Sequence, residues 1–140
     1  MDDVKVSHKD AKVVEEVVNL CKKHFGDFEV SRGKSHDYLG MKLTIGDDKK
    51  LCIDMRPQIK QAIESFGENI EGEVSTPAAK HLFDVNPDDV PLSPSKQEIF
   101  HSVTAKLLYL EKRARPDIET AIGFLTTRVA SPGEDDWKKL

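Results

Sequence analysis

Apolar residues first recur at helical spacing, at Val14, Val17, Val18, Cys21 and Phe25. Ser7-His8-Lys9-Asp10 stands ahead of them with a hydroxyl and, three residues on, a carboxylate, which is a capping-box pattern with Asp in place of Glu. A helix is therefore expected to begin there and to stop at Gly26. The period then changes from about 3.6 to 2. Phe28 and Val30, then Leu39, Met41, Leu43 and Ile45, then Leu51, Ile53 and Met55 alternate with polar or small residues. Gly46-Asp47-Asp48-Lys49-Lys50 carries turn chemistry between the last two runs, so the pattern predicts a hairpin preceded by a third strand. A further short apolar strand is expected at Val4-Lys5-Val6.

Pro57 suits a first helical turn, and Ile59, Ala62, Ile63 and Phe66 make an apolar stripe closed by Gly67. From 68 to 93 the periodicity is lost, prolines recur and carboxylates dominate, which reads as an acidic linker of irregular structure. Ser93-Pro94 opens another helix, whose apolar face runs through Ile99, Phe100, Val103, Leu107 and Leu110 as far as Arg115-Pro116. Ile118, Ala121, Ile122, Leu125 and Val129 form the next stripe. Residues 133–140 look like the opening of one more helix, with Trp137 as its single large apolar group and too little length to bury it. Strands and helices in this order define an α+β protein with a helical appendage, and its few strands leave the sheet short of partners.

With 140 residues the chain is expected to form one domain, or one domain with an appendage. No run approaches the roughly 18 consecutive apolar residues of a membrane span, which excludes a membrane-spanning reading. The acidic opening Met1-Asp2-Asp3 lacks a secretory signal, so an intracellular location is expected, with cytoplasm and nucleus not distinguished. Cys21 and Cys52 have no second thiol at C-x-x-C spacing and are expected as buried free thiols. None of the five histidines pairs at zinc-site spacing, and neither a glycine-rich phosphate loop nor a G-x-S-x-G elbow occurs. A net charge of -4 supplies no global basic field, so binding of nucleic acid requires a local patch.

The acidic pair gains meaning from its surroundings. Asp2-Asp3-Val4-Lys5-Val6-Ser7-His8, a helix, Phe25-Gly26, and then Tyr38-Leu39-Gly40-Met41 in a hairpin resemble the second half of the palm of a reverse transcriptase of the copia-type LTR retrotransposons. Ser75-Thr76-Pro77, Ala105 to Leu110, Arg115-Pro116-Asp117-Ile118 and Trp137-Lys138-Lys139-Leu140 are similar to the family's later segments, in the family's order. The resemblance spans essentially the whole chain. It implies a partial palm of antiparallel strands with two helices over 1–67, the acidic linker over 68–93, and a truncated thumb- or connection-like helical region over 94–140.

The resemblance further implies RNA-directed DNA polymerase ancestry, that is, nucleotidyl transfer. Asp2 and Asp3 match the catalytic, metal-binding aspartates of the family's Tyr-x-Asp-Asp turn, with Mg²⁺ as the ion. Paired carboxylates suit a hard divalent cation that neutralises charge as a primer hydroxyl attacks a phosphate. The motif's tyrosine, the strand before it and the fingers have no counterpart here, so weak Mg²⁺ binding and no polymerase activity are expected of the chain alone. Tyr38, Leu39, Gly40 and Met41 match the primer grip. Lys106, Lys112, Arg113, Arg115 and Arg128 lie on the later helices and are expected to track the phosphates of an RNA/DNA template–primer. Arg115 and Asp117 equally suit a corner fixed by an ion pair. The alternative reading is a non-catalytic remnant that binds nucleic acid or protein, with self-association through the unfinished sheet edge.

Overall fold

The computed structural model describes residues 3–72, 74–78 and 80–140. The chain is α+β, with a three-stranded antiparallel sheet and five α-helices among the described residues. It divides into two compact units, Met1–Asp54 and Met55–Leu140.

In the first unit, α1 spans Ala11–Phe25. Its cap is Asp10, whose carboxylate accepts from Lys12 N at 2.9 Å, so the helix starts three residues later than a cap at Ser7 implies. Asp is as good a cap as Ser, and the acceptor closer to the apolar stripe prevails. Gly26, at φ +81°, ends the helix and donates its N–H to Lys22 O at 3.0 Å. Val14, Val17, Val18 and Cys21 of the apolar stripe lie half-buried, Phe25 is exposed, and no residue of α1 is fully buried.

The sheet consists of β1 (Ser35–Tyr38), β2 (Met41–Ile45) and β3 (Leu51–Asp54), in the order β1-β2-β3. The strand expected at Phe28–Val30 is instead irregular, and Arg32 beyond it makes a bidentate pair with Glu15 of α1 at 2.7 and 3.0 Å. The first strand lies at Ser35–Tyr38 because a two-residue turn, Leu39-Gly40, pairs Tyr38 directly with Met41. Val4-Lys5-Val6 forms no strand, and Val4 is exposed.

The ladder register sets the faces. His36, Tyr38, Met41, Leu43, Ile45, Leu51 and Ile53 share one side, and Ser35, Asp37, Lys42, Thr44, Cys52 and Asp54 share the other. Met41 and Leu43 are buried, whereas Leu51 and Ile53 at the β3 edge are exposed. Cys52 is exposed and Cys21 half-buried; both are free thiols, so the expected burial fails at Cys52, which lies on the polar face of the sheet.

In the second unit, α2 (Arg56–Phe66) carries Pro57 in its first turn and ends at Gly67, which is left-handed at φ +74°. It packs against α3 (Pro94–Glu111), which Ser93 caps. One turn of 3-10 helix at Pro116–Ile118 leads into α4 (Glu119–Arg128), and α5 (Glu134–Lys139) closes the chain. α2 thus shares a compact unit with the later helices, whereas the resemblance implies a palm over 1–67 that groups it with the strands.

The core of this unit joins Leu92, Phe100, Ile122, Leu125 and Trp137. Trp137 is therefore buried, contrary to the expectation that so short a helix would bury nothing. Its ring stacks on Phe66 at a centroid distance of 4.8 Å, and its Nε1 donates to Glu68 at 2.8 Å. The described residues of segment 68–93 are mostly irregular, as expected, but they are anchored rather than loose. Leu92 N donates to Pro132 O at 3.1 Å, Glu134 N donates to Val90 O at 2.9 Å, and Leu82 is buried.

Candidate nucleic-acid interface

Of the acidic pair, Asp3 is exposed and Asp2 lies outside the described residues. Among the described residues no group of three or more His, Cys, Asp and Glu is placed to hold a metal ion. Asp3 by itself offers one carboxylate to an ion.

Tyr38, Leu39, Gly40 and Met41 form the closed end of the first hairpin. Both turn residues have positive φ, +48° at Leu39 and +73° at Gly40, the requirement of a type I′ turn that suits the twist of the flanking strands. Glycine meets it freely, but leucine does so at a steric cost. Leu39 is exposed at the tip, Tyr38 is half-buried, and Met41 is buried beneath.

The five basic residues of the later helices differ in their partners. Lys112 bonds Glu111 at 2.7 Å and Glu119 at 3.4 Å, and these carboxylates raise its ammonium above the usual lysine range. Arg115 grips Asp117 through two parallel bonds of 2.8 and 2.7 Å. That fork holds the Asp117 carboxyl below its usual range and raises the guanidinium of Arg115. Arg128 meets the buried Asp136 at 3.3 and 3.2 Å. Lys106 and Arg113 differ, since Lys106 Nζ donates to the Ser65 hydroxyl and Arg113 donates to the Tyr109 carbonyl at 3.2 Å. Three of the five cations therefore have carboxylate partners, and two bond neutral oxygens.

A groove of about 430 Å³ between α2 and α3 is lined by Gln58, Gln61, Ser102, Ala105, Lys106 and Tyr109. Sequence reasoning does not single out its glutamines, and it weighs Ser102 only as a nucleophile, for which no activating base is in sight. The available signal was the spacing of Ser102, Lys106, Tyr109 and Arg113 by four, three and four residues, which aligns them on one side of α3 and the turn after it.

These elements belong to a chain with a recorded relative. Over 145 aligned positions, taking in 100% of this chain, it is 26% identical to the retrovirus-related Pol polyprotein from transposon TNT 1-94 of Nicotiana tabacum. The chain spans 11% of that relative's length. It is thus similar, along its whole length, to a stretch of a retrotransposon Pol polyprotein. No family profile matches the chain. No solved structure matches it either. Among the described residues no helix is long and apolar enough to cross a membrane.

Proposed function

We propose that the chain belongs to the reverse-transcriptase region of a copia-type Pol polyprotein, and that these 140 residues bind a template–primer duplex without extending the primer. The observation that carries this reading is the similarity to a transposon Pol polyprotein, which covers the whole chain. The order of the reverse-transcriptase-like segments, from Asp2-Asp3 through Tyr38-Leu39-Gly40-Met41 to Trp137-Lys138-Lys139-Leu140, narrows it to that region.

In this reading Asp2 and Asp3 are the metal-binding carboxylates, Mg²⁺ is their ion, and the Leu39-Gly40 turn meets the primer strand. Gly40 has no Cβ, which permits close approach of a sugar–phosphate backbone. Nucleotidyl transfer needs two ions held by converging carboxylates, and Asp2 and Asp3 alone are too few to hold both tightly.

The test is to mix the purified chain with a labelled RNA/DNA template–primer, deoxynucleotides and Mg²⁺. Duplex binding that falls steeply with salt, with no primer extension, is the expected result. Extension above a protein-free control would overturn the inactive part of the reading. Absence of binding at about 50 mM salt would overturn the nucleic-acid part.

A further inference from the structure

We infer that the outer edge of β3 is an interface with a second copy of this chain, the two β3 strands pairing antiparallel across a two-fold axis at Cys52 to make one continuous sheet. The inference stands apart from the nucleic-acid reading. An unfinished sheet invites a partner at either edge, and the ladder of this one selects both the edge and the register.

Backbone direction is the first argument. Among the described residues no strand follows β3 in the sheet. Ile45 N donates to Lys34 O on the β1 side at 2.7 Å, and Gly46 N donates to Lys50 O on the β3 side at 2.9 Å. The side served alternates along a strand, so Thr44 and Cys52 bond each other within the sheet, whereas Leu51 and Ile53 turn their N–H and C=O groups outward. Pairing centred on Cys52 sets Leu51 opposite Ile53 of the copy, where the two exchange backbone bonds. Their side chains are 53% and 39% exposed, so the same pairing covers apolar surface, and β1 has no exposed large apolar side chain to offer.

Charge is the second argument. In this register Lys50 stands opposite Asp54 of the copy, and Asp54 opposite its Lys50, an attractive pair on each side of the axis. Lys50 holds Asp48 of its own turn at 3.1 Å, an exposed pair of the kind that exchanges partners at little cost. A shift of two residues one way sets Asp54 against Asp48 of the copy, and a shift the other way carries Lys50 past the end of β3. The exposed Cys52 thiol faces its own counterpart across the axis. Because Cys52 bonds inward, this is a non-hydrogen-bonded pair, with Cα atoms about 4.5 Å apart, a separation that a disulfide spans.

The experiment uses the full chain without nucleic acid. Sedimentation velocity under reducing conditions should show a monomer–dimer equilibrium. Oxidised glutathione should then link the dimer. One Cys52 thiolate displaces a glutathione thiolate and forms a mixed disulfide, and the second Cys52 thiolate displaces the other. Two protein thiols thus give up two protons and two electrons as the oxidant becomes two glutathione thiols. Cys52→Ser should abolish the linked dimer, and Cys21→Ser should leave it. Lys50→Asp and Asp54→Lys should each weaken the reduced dimer several-fold by setting like charges opposite, and the double variant should restore it. Circular dichroism reports that each variant is folded. A link through Cys21, a double variant no tighter than the single ones, or a chain that stays monomeric up to about 1 mM would each overturn the interface.

Discussion

Gly133 shows how much one missing methyl group can matter. A Cβ built there would stand 1.8 Å from Asp89 Oδ2 and 2.3 Å from its Cγ. The same Asp89 carboxylate accepts from Asp135 N at 3.1 and 3.2 Å, filling the role of a cap at the start of α5. Asp136, buried one residue on, accepts from Gly133 N at 3.1 Å and pairs with Arg128. Gly133→Ala must therefore evict Asp89 or move the backbone that Asp136 holds. We predict a loss of about 1–2 kcal/mol, the usual cost of a cap. Urea unfolding followed by circular dichroism measures it, and an unchanged midpoint would show that Asp89 relocates freely.

At the scale of elements, α5 illustrates the limit of periodicity. Six residues with one tryptophan look too short to bury anything, but Phe66 and Glu68, some seventy positions earlier, provide a stacking face and a hydrogen-bond acceptor. That contact is non-local, so no window along the chain contains it. Trp137→Ala should destabilise the unit by about 3–5 kcal/mol, and Trp137→Phe, which retains a ring but loses the Glu68 bond, by clearly less. Chemical denaturation of both variants checks the order. Both ends of α2 and the start of α3 were legible because proline and glycine act locally, at Pro57, Gly67 and Pro94, whereas α3 stops at Glu111, short of the Arg115-Pro116 corner expected to end it. β1 was not, because alternation marks extended chain without naming its partner, and the Leu39-Gly40 turn, read as strand, decided the pairing. In the interface the cations were visible as residue types. Arg115–Asp117, two positions apart, was anticipated as an ion pair, and Lys112–Glu111, adjacent in sequence, was close enough to be, whereas Arg128–Asp136, eight positions apart, was not.

Over the whole molecule, burial is uneven. Among the described residues Met41 and Leu43 are the buried hydrophobic side chains of the first unit, while the second counts eleven, from Met55 to Trp137. Resistance to local opening follows buried apolar contact, so the units should not open together. The sheet also has a short ladder of four paired positions on each side of β2, and its β3 edge exposes Leu51 and Ile53. By contrast, α3 presents Phe100, Val103 and Leu110 to its own unit's interior, each no more than 3% exposed. Native-state hydrogen exchange should then show amides of Met41–Ile45 exchanging at least about tenfold faster than those of Val103–Leu110. Equal protection would mean that the sheet draws stability from something other than its own buried side chains. Among the described residues β1 and β3 are edge strands of the folded sheet, and β3 exposes Leu51 and Ile53, so a second copy that pairs there binds the folded form and opposes its opening. Exchange in the sheet should accordingly slow as protein concentration rises, while exchange in α3 stays constant.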